Sequence, residues 1–369
     1  MAIDMHSIEA KVAAGRRLTR EDGLALFRSP DLLAVATLAD RVRQKKHGLR
    51  AYYCVNTHVN YTNRCVNECG LCAFWAGADN ARGYLMTAEE IVERVRPDID
   101  AGATEVHIVG GLHPDVSLAY YVEMVGRLRA ALPEVCIQAM TAVEVAYAAH
   151  KACVAVAEAL GQLKSAGLTA LPGGGAEIFD PEIRRRICPR KISGQEWLDV
   201  HRQAHRLGIP TNATMLYGHI ESAANRVDHL LALRELQDET GGFAAFIPLA
   251  FHPEGTLMAD LPGPTACEDL RTIAVSRLML DNVPHIKAFW IMLTPDVAQI
   301  ALRFGADDMD GTVVREEITH AAGAMTPQAL TAADLEHLIR AAGCRPQERD
   351  TLYRPVCRGS AKFGVRSAE

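Results

Sequence analysis

Three of the ten cysteines stand together as Cys65-x3-Cys69-x2-Cys72. Structural zinc normally takes four ligands, and catalytic zinc takes three that usually include histidine or carboxylate. Three thiolates on their own suit a cubane [4Fe-4S] cluster, in which they hold three irons and leave the fourth open to a substrate chelate. A zinc site completed by a distant residue is the alternative this spacing leaves standing. Phe74 and Trp75 follow the third cysteine directly and would shield such a centre from water.

The other seven cysteines, Cys54, Cys136, Cys153, Cys188, Cys267, Cys344 and Cys357, are scattered and read as small buried hydrophobes. The chain has 369 residues, 49% hydrophobic and 23% charged, with a formal net charge of -6. That balance supports a globular core and argues against a general binder of nucleic acid or membrane surfaces. No stretch reaches the roughly 18 apolar residues of a membrane span. The N-terminus lacks the apolar core of a secretory signal, so a cytoplasmic location and reduced thiols are expected.

The elements that would carry the cysteine loop follow from periodicity. Residues 1–50 read as a helical extension. From residue 51 onward, short β-favouring runs at 57–61, 105–109, 136–141, 170–173, 211–216, 245–250, 286–292 and 307–312 alternate with amphipathic helices. These helices are expected at 88–101, 118–131, 154–166, 194–207, 223–239, 266–281 and 295–304. Thr87 with Glu90 forms a capping box for the first of them. Eight alternating units predict an α/β chain built as a (β/α)8 TIM-type barrel over 51–320, with an open doubly wound sheet as competitor. Residues 321–369 are expected to form a C-terminal helix and tail packed on it. In such a fold, function collects where strands end, and the unusual residues do collect there.

The spacing of the cysteines resembles that of the radical S-adenosylmethionine superfamily. The segments HVNYTNRCVNECGLCAF, EVHIVGGLHPD, PGGGAEIF and RRRICPRKIS are similar to its menaquinone and deazaflavin branch. TNATMLYGHIE, RELQDETGGFAAFIPLAFHPEGT, SRLMLDNVPHIKAFW and FGADDMDGTVV are most similar to the aminofutalosine synthase family, over about residues 10–355. The resemblance implies a [4Fe-4S] cluster on Cys65, Cys69 and Cys72 and S-adenosylmethionine as co-substrate. It also implies an external one-electron reductant such as a flavodoxin or ferredoxin. The activity implied is reductive cleavage of S-adenosylmethionine and addition of the 5′-deoxyadenosyl radical to 3-[(1-carboxyvinyl)oxy]benzoate. Aryl migration and decarboxylation would then give 6-amino-6-deoxyfutalosine on the route to menaquinone. A dehypoxanthinyl futalosine cyclase or a deazaflavin-precursor synthase subunit on the same fold is the competing reading, and an iron–sulfur or zinc binding module is the non-enzymatic one.

Under this resemblance Gly110 and Gly111 should face the methionine amino group, since glycine allows close backbone approach. Glu177 would hydrogen-bond the ribose or amino group, and Arg184 would pair with the methionine carboxylate. Arg185 and Arg186 follow it, so a solvated basic helix face competes with that role. Thr141 is a further cofactor-side candidate, with Glu144 beside it. An aromatic dicarboxylate in a water-poor pocket needs cations or donors to offset its desolvation. His58, Asn60, Asn212, His252, His285 and Lys287 are the candidates. Thr294-Pro295-Asp296 stands where a glycine-containing turn is expected.

Overall fold

The computed structural model describes residues 5–77 and 79–358. Nine strands lie in chain order: β1 Arg50–Cys54, β2 Asn56–Val59, β3 Glu105–Ile108, β4 Cys136–Ala139, β5 Thr211–Tyr217, β6 Phe243–Ala250, β7 His285–Ile286, β8 Asp308–Gly311 and β9 Arg345–Glu348. They form three separate three-stranded sheets, ordered β8-β1-β9, β2-β3-β4 and β5-β6-β7, with every pairing parallel. The expected (β/α)8 barrel is therefore corrected to a mixed α/β fold of small parallel sheets. Among the described residues no sheet closes into a barrel.

The reason lies in two interrupted ladders. The expected strand at 170–173 contributes only single bridges, Ala170 to Gln138 and Leu171 to Thr211. Gly173 then turns away at φ 86, with its Cα so close to the Asn212 carbonyl that a Cβ would lie 2.2 Å from it. The expected strand at 286–292 is two residues long, because the chain winds into a short helix at Trp290–Leu293. Isolated bridges Lys287 to Asp308 and Thr57 to Val314 join the remaining sheets.

Strands β2 to β5 are buried at almost every position, as parallel strands covered on both faces are, although β2 and β3 carry the polar Asn56, Thr57, His58, Glu105 and His107. The covering helices start at capping boxes: Thr87 with Glu90, Thr141 with Glu144, Ser193 with Glu196 and Ser222 with Asn225. Near the N-terminus, helix Leu32–His47 packs on Ala266–Met279, and Arg20–Arg28 packs on Ala223–Thr240. The C-terminal segment returns β9 to the edge of β1.

Four of the scattered cysteines, Cys54, Cys136, Cys188 and Cys344, are buried as expected, whereas Cys153, Cys267 and Cys357 are exposed. Cys153 ends its helix in the left-handed conformation, where the chain turns outward. No helix among the described residues is long and apolar enough to cross a membrane.

Candidate functional site

Strand β2 runs out through Asn60 and Tyr61 into the cysteine loop, which is tied down from several sides. Val66 N donates to Leu112 O (3.0 Å), Gly70 N to Ile187 O (3.0 Å), and Leu257 N to Gly70 O (2.9 Å). The loop presses on the turn after β3. A Cβ on Gly111 would lie 2.3 Å from Arg64 O and 3.0 Å from Cys65 Cβ, and one on Gly110 would lie 2.6 Å from the Tyr61 ring. Both positions demand glycine because the neighbours are backbone and a fixed aromatic ring.

The C-terminal ends of the strands open onto one cavity of about 320 Å³. Cys65, Cys69 and Cys72 line one wall with Gly110, Gly111, Thr141 and Glu177, while His58, Asn60 and His252 line the rest. All three thiols are free of disulfides. Three thiolates by themselves suit a polynuclear cluster with one open iron better than a structural zinc, which takes four ligands. Burial pushes the Cys69 thiol up to about 12 and raises Cys72, with Lys191 opposing in both cases. Thiolates in such a place need a cationic group bound to them, as iron would be.

Lys191 is the one lysine or arginine lining the cavity among the described residues. Its Nζ donates to Glu177 Oε1 at 2.5 Å. Burial pushes the Glu177 carboxyl up, but Lys191 outweighs it and holds the group below its ordinary range. On the floor, His58 and His107 stack with ring centroids 4.4 Å apart and planes at 9°. Burial drives both well towards the neutral form. Asn56 Oδ1 accepts from Val313 N (2.8 Å), so its Nδ2 is the donor that faces His58 Nε2 at 3.5 Å. Neutral His58 therefore carries its proton on Nδ1.

Four of the expected site residues are not brought to the cavity. Arg184 donates to the carbonyls of Ala176 (2.5 Å), Ile178 (3.1 Å) and Ile192, so its guanidinium braces the loop that carries Glu177. Asn212 is buried within β5. Lys287 lies one layer below the cavity, bonded at 2.8 Å to Asp310, which does line it. His285 stacks on Tyr353 at 3.6 Å and bonds Asp307 at 2.5 Å. Together with His47 it forms a compact buried group with metal-like spacing. Arg277 already supplies the cation there through Asp307, and His47 Nε2 donates to Pro284 O (2.9 Å). That group is thus a satisfied ion-pair network away from the thiols.

The sequence reading missed Lys191 and His107. His107 had a signal: Glu105 and His107 alternate with Val106 and Ile108, and β3 sets His107 in register with His58. Lys191 stands in the quoted RRRICPRKIS segment, but five cations within eight residues hide which one turns inward.

The radical SAM superfamily profile matches residues 59–233, and the CofH/MqnC C-terminal region matches residues 240–360. An aminodeoxyfutalosine synthase from Thermus thermophilus is 47% identical over 95% of this chain and 95% of its own length. One from Streptomyces coelicolor is 46% identical over 94% of this chain and 92% of its own. A 5-amino-6-(D-ribitylamino)uracil–L-tyrosine 4-hydroxyphenyl transferase from Methanosarcina barkeri is 41% identical over 92% and 90%. The crystal structure of methylornithine synthase (PylB) superposes with a TM-score of 0.73 at 20% identity, covering 92% of this chain and 97% of that one, which speaks to the fold alone. The chain belongs to the radical SAM superfamily, as an enzyme closely related to aminodeoxyfutalosine synthase.

Proposed function

We propose that the chain is an aminodeoxyfutalosine synthase, and the observation that carries this is three free thiols lining one cavity beside the Gly110–Gly111 turn. Cys65, Cys69 and Cys72 would hold a [4Fe-4S] cluster. When bound, the cluster supplies the electron that opens the sulfonium of S-adenosylmethionine, drawn from an external carrier of the flavodoxin or ferredoxin kind. The overall conversion joins the 5′-deoxyadenosyl group to 3-[(1-carboxyvinyl)oxy]benzoate, with aryl migration and loss of one carboxylate, to give 6-amino-6-deoxyfutalosine.

The remaining work falls to the chain's own side chains. Gly110 and Gly111 offer close backbone approach to the methionine amino group. Lys191, which replaces Arg184 in that role, presents a cation to the methionine carboxylate, and Glu177 beside it accepts from ribose or amino hydrogens. Ile247, Leu249, Phe289 and Met292 provide an apolar wall for an aromatic ring. Asn60, Thr214 and His252 lie around it, and the Nδ1–H of His58 is a further donor for carboxylate oxygens. With both substrates bound, such a pocket would aim the reacting carbons and keep water from them, which is the protein's main contribution to chemistry carried by a radical.

Identity to two synthases at 46–47% against 41% for the 4-hydroxyphenyl transferase favours this substrate over tyrosine with 5-amino-6-(D-ribitylamino)uracil. Anaerobic incubation of reconstituted enzyme with S-adenosylmethionine, reductant and each candidate substrate separately tests the assignment. Consumption of 3-[(1-carboxyvinyl)oxy]benzoate alone is expected. Turnover of dehypoxanthinyl futalosine or of tyrosine with the uracil, in its place, would refute it.

A further inference from the structure

Glu144 is a carboxylate whose burial its capping role does not explain. At the third position of helix Ala142–Ala152 its Oε2 accepts from Thr141 N (2.7 Å), completing a capping box. The equivalent carboxylates Glu90 and Glu196 are exposed, whereas Glu144 is 1% exposed and lines the cavity. Capping needs no charge, since glutamine serves as well. Burying a carboxylate where an amide would do is costly and asks for a reason.

The second oxygen supplies one. Oε1 accepts from Gly110 N (3.2 Å) and from Tyr61 Oη (2.8 Å). The Tyr61 hydroxyl in turn lies 3.2 Å from Gly111 O and 2.9 Å from the Tyr121 hydroxyl. One carboxylate thus ties Gly110 directly to the helix and holds the Tyr61 hydroxyl beside Gly111. The titratable groups that face it are Tyr61, from the segment after β2, and Tyr120 and Tyr121 from helix Leu118–Ala131. Among the described residues no lysine, arginine or histidine is ion-paired with it.

We propose that Glu144 is a positioning residue for the sulfonium substrate. Through Gly110 N–H and Tyr61 it fixes the turn that receives the methionine end, and its carboxylate supplies the negative charge that a cationic ligand brings into use. This rests on the reading above that the turn receives S-adenosylmethionine. Burial holds the carboxyl at about 7, its hydrogen-bond donors pulling the other way. A cation arriving at the turn favours the ionised form, so binding expels the proton that the empty site retains.

The test is calorimetric titration of S-adenosylmethionine into the reconstituted enzyme, without reductant, in buffers of different ionisation enthalpy between pH 6 and 9. Near pH 7 the unaltered enzyme should release about half a proton more per ligand than Glu144→Gln, the difference vanishing towards pH 9. Tyr61→Phe removes a donor to the carboxylate and should move the release curve to higher pH. Equal release by the unaltered enzyme and Glu144→Gln overturns the proposal. If Glu144→Gln does not bind, an unmoved curve in Tyr61→Phe overturns it equally. An unaltered enzyme that does not bind S-adenosylmethionine at all would instead overturn the underlying functional reading.

Discussion

Lys191 sits where two buried thiols and the Glu177 carboxylate meet, and the buried lysine and carboxylate are each tolerable only in the company of the other. Breaking one side of a buried ion pair costs roughly 3–5 kcal/mol, because the other charge is left without compensation. Lys191→Met is therefore expected to lower the melting temperature and to weaken S-adenosylmethionine binding, while iron content per chain is retained. Adding Glu177→Gln should restore most of the melting temperature but none of the binding; a double variant as unstable as the single one would contradict the pairing. Cys69→Ala, by contrast, should abolish the brown absorption near 400 nm (roughly, as for thiolate-held clusters) together with turnover. A colourless, zinc-loaded parent protein would contradict the cluster assignment at this same scale. The cysteines were legible in the sequence because their spacing is local. The choice of Lys191 over Arg184 was not, since it depends on which of several neighbouring cations turns inward once helix Pro181–Ile187 has packed.

At the scale of elements, the contact between the cysteine loop and the turn after β3 is the one that admits least change. In Gly111→Ala the new Cβ would meet the Arg64 carbonyl at 2.3 Å, and backbone cannot yield as a flexible side chain could. Iron stoichiometry after reconstitution should fall well below that of the parent chain. Gly126→Ala, where a Cβ meets nothing within 4 Å inside helix Leu118–Ala131, should be neutral or stabilising by about 0.5–1 kcal/mol. Equal iron loading in both variants would show that the loop can move. Strand β6 was readable as an apolar run, and β3 and β5 as short β-favouring runs that mix polar with apolar residues. β1 at Arg50–Cys54 was not read as a strand apart from the one expected at 57–61, and β9, Arg-Pro-Gln-Glu, has no strand propensity of its own and is a strand only through pairing with β1. The turn expected to hold glycine keeps its geometry without one: Thr294 adopts φ 79 and caps the following helix at Val297 N (3.4 Å). Barrel closure was the inference that failed, since alternation counts units but does not reveal where a ladder is cut to one bridge.

The molecule as a whole buries many ionisable groups, and their balance sets its response to pH. Burial holds His47 and His205 at about 4 and His229 at about 3, and drives His58 and His201 well below the ordinary value. The unfolded chain protonates such rings below about pH 6.5, so each removes roughly 1.4 kcal/mol of stability per pH unit as the medium is acidified towards the folded value. Glu144 and Asp269, which burial raises to about 7 and about 6, act in the opposite sense. Five rings outweigh two carboxyls. At lower pH Asp310 adds to the loss: burial raises its carboxyl, but Lys287 and Arg349 hold it at about 2, and the stability it lends above about pH 4 disappears as pH falls towards 2. The melting temperature should therefore decline steeply below pH 6.5, and a flat profile from pH 7.5 to 5 would contradict the neutral state assigned to these histidines.

Chemistry at the cavity distinguishes a radical that becomes part of the product from one that only removes hydrogen, and the fate of the adenosyl carbons reports which occurs. The most direct measurement is anaerobic turnover of the reconstituted enzyme with 3-[(1-carboxyvinyl)oxy]benzoate and S-adenosylmethionine carrying carbon-13 throughout its adenosyl group, followed by mass analysis. The proposed function predicts that the label appears in 6-amino-6-deoxyfutalosine, in step with substrate consumed. Label recovered entirely as free 5′-deoxyadenosine, with no labelled adduct, would contradict it.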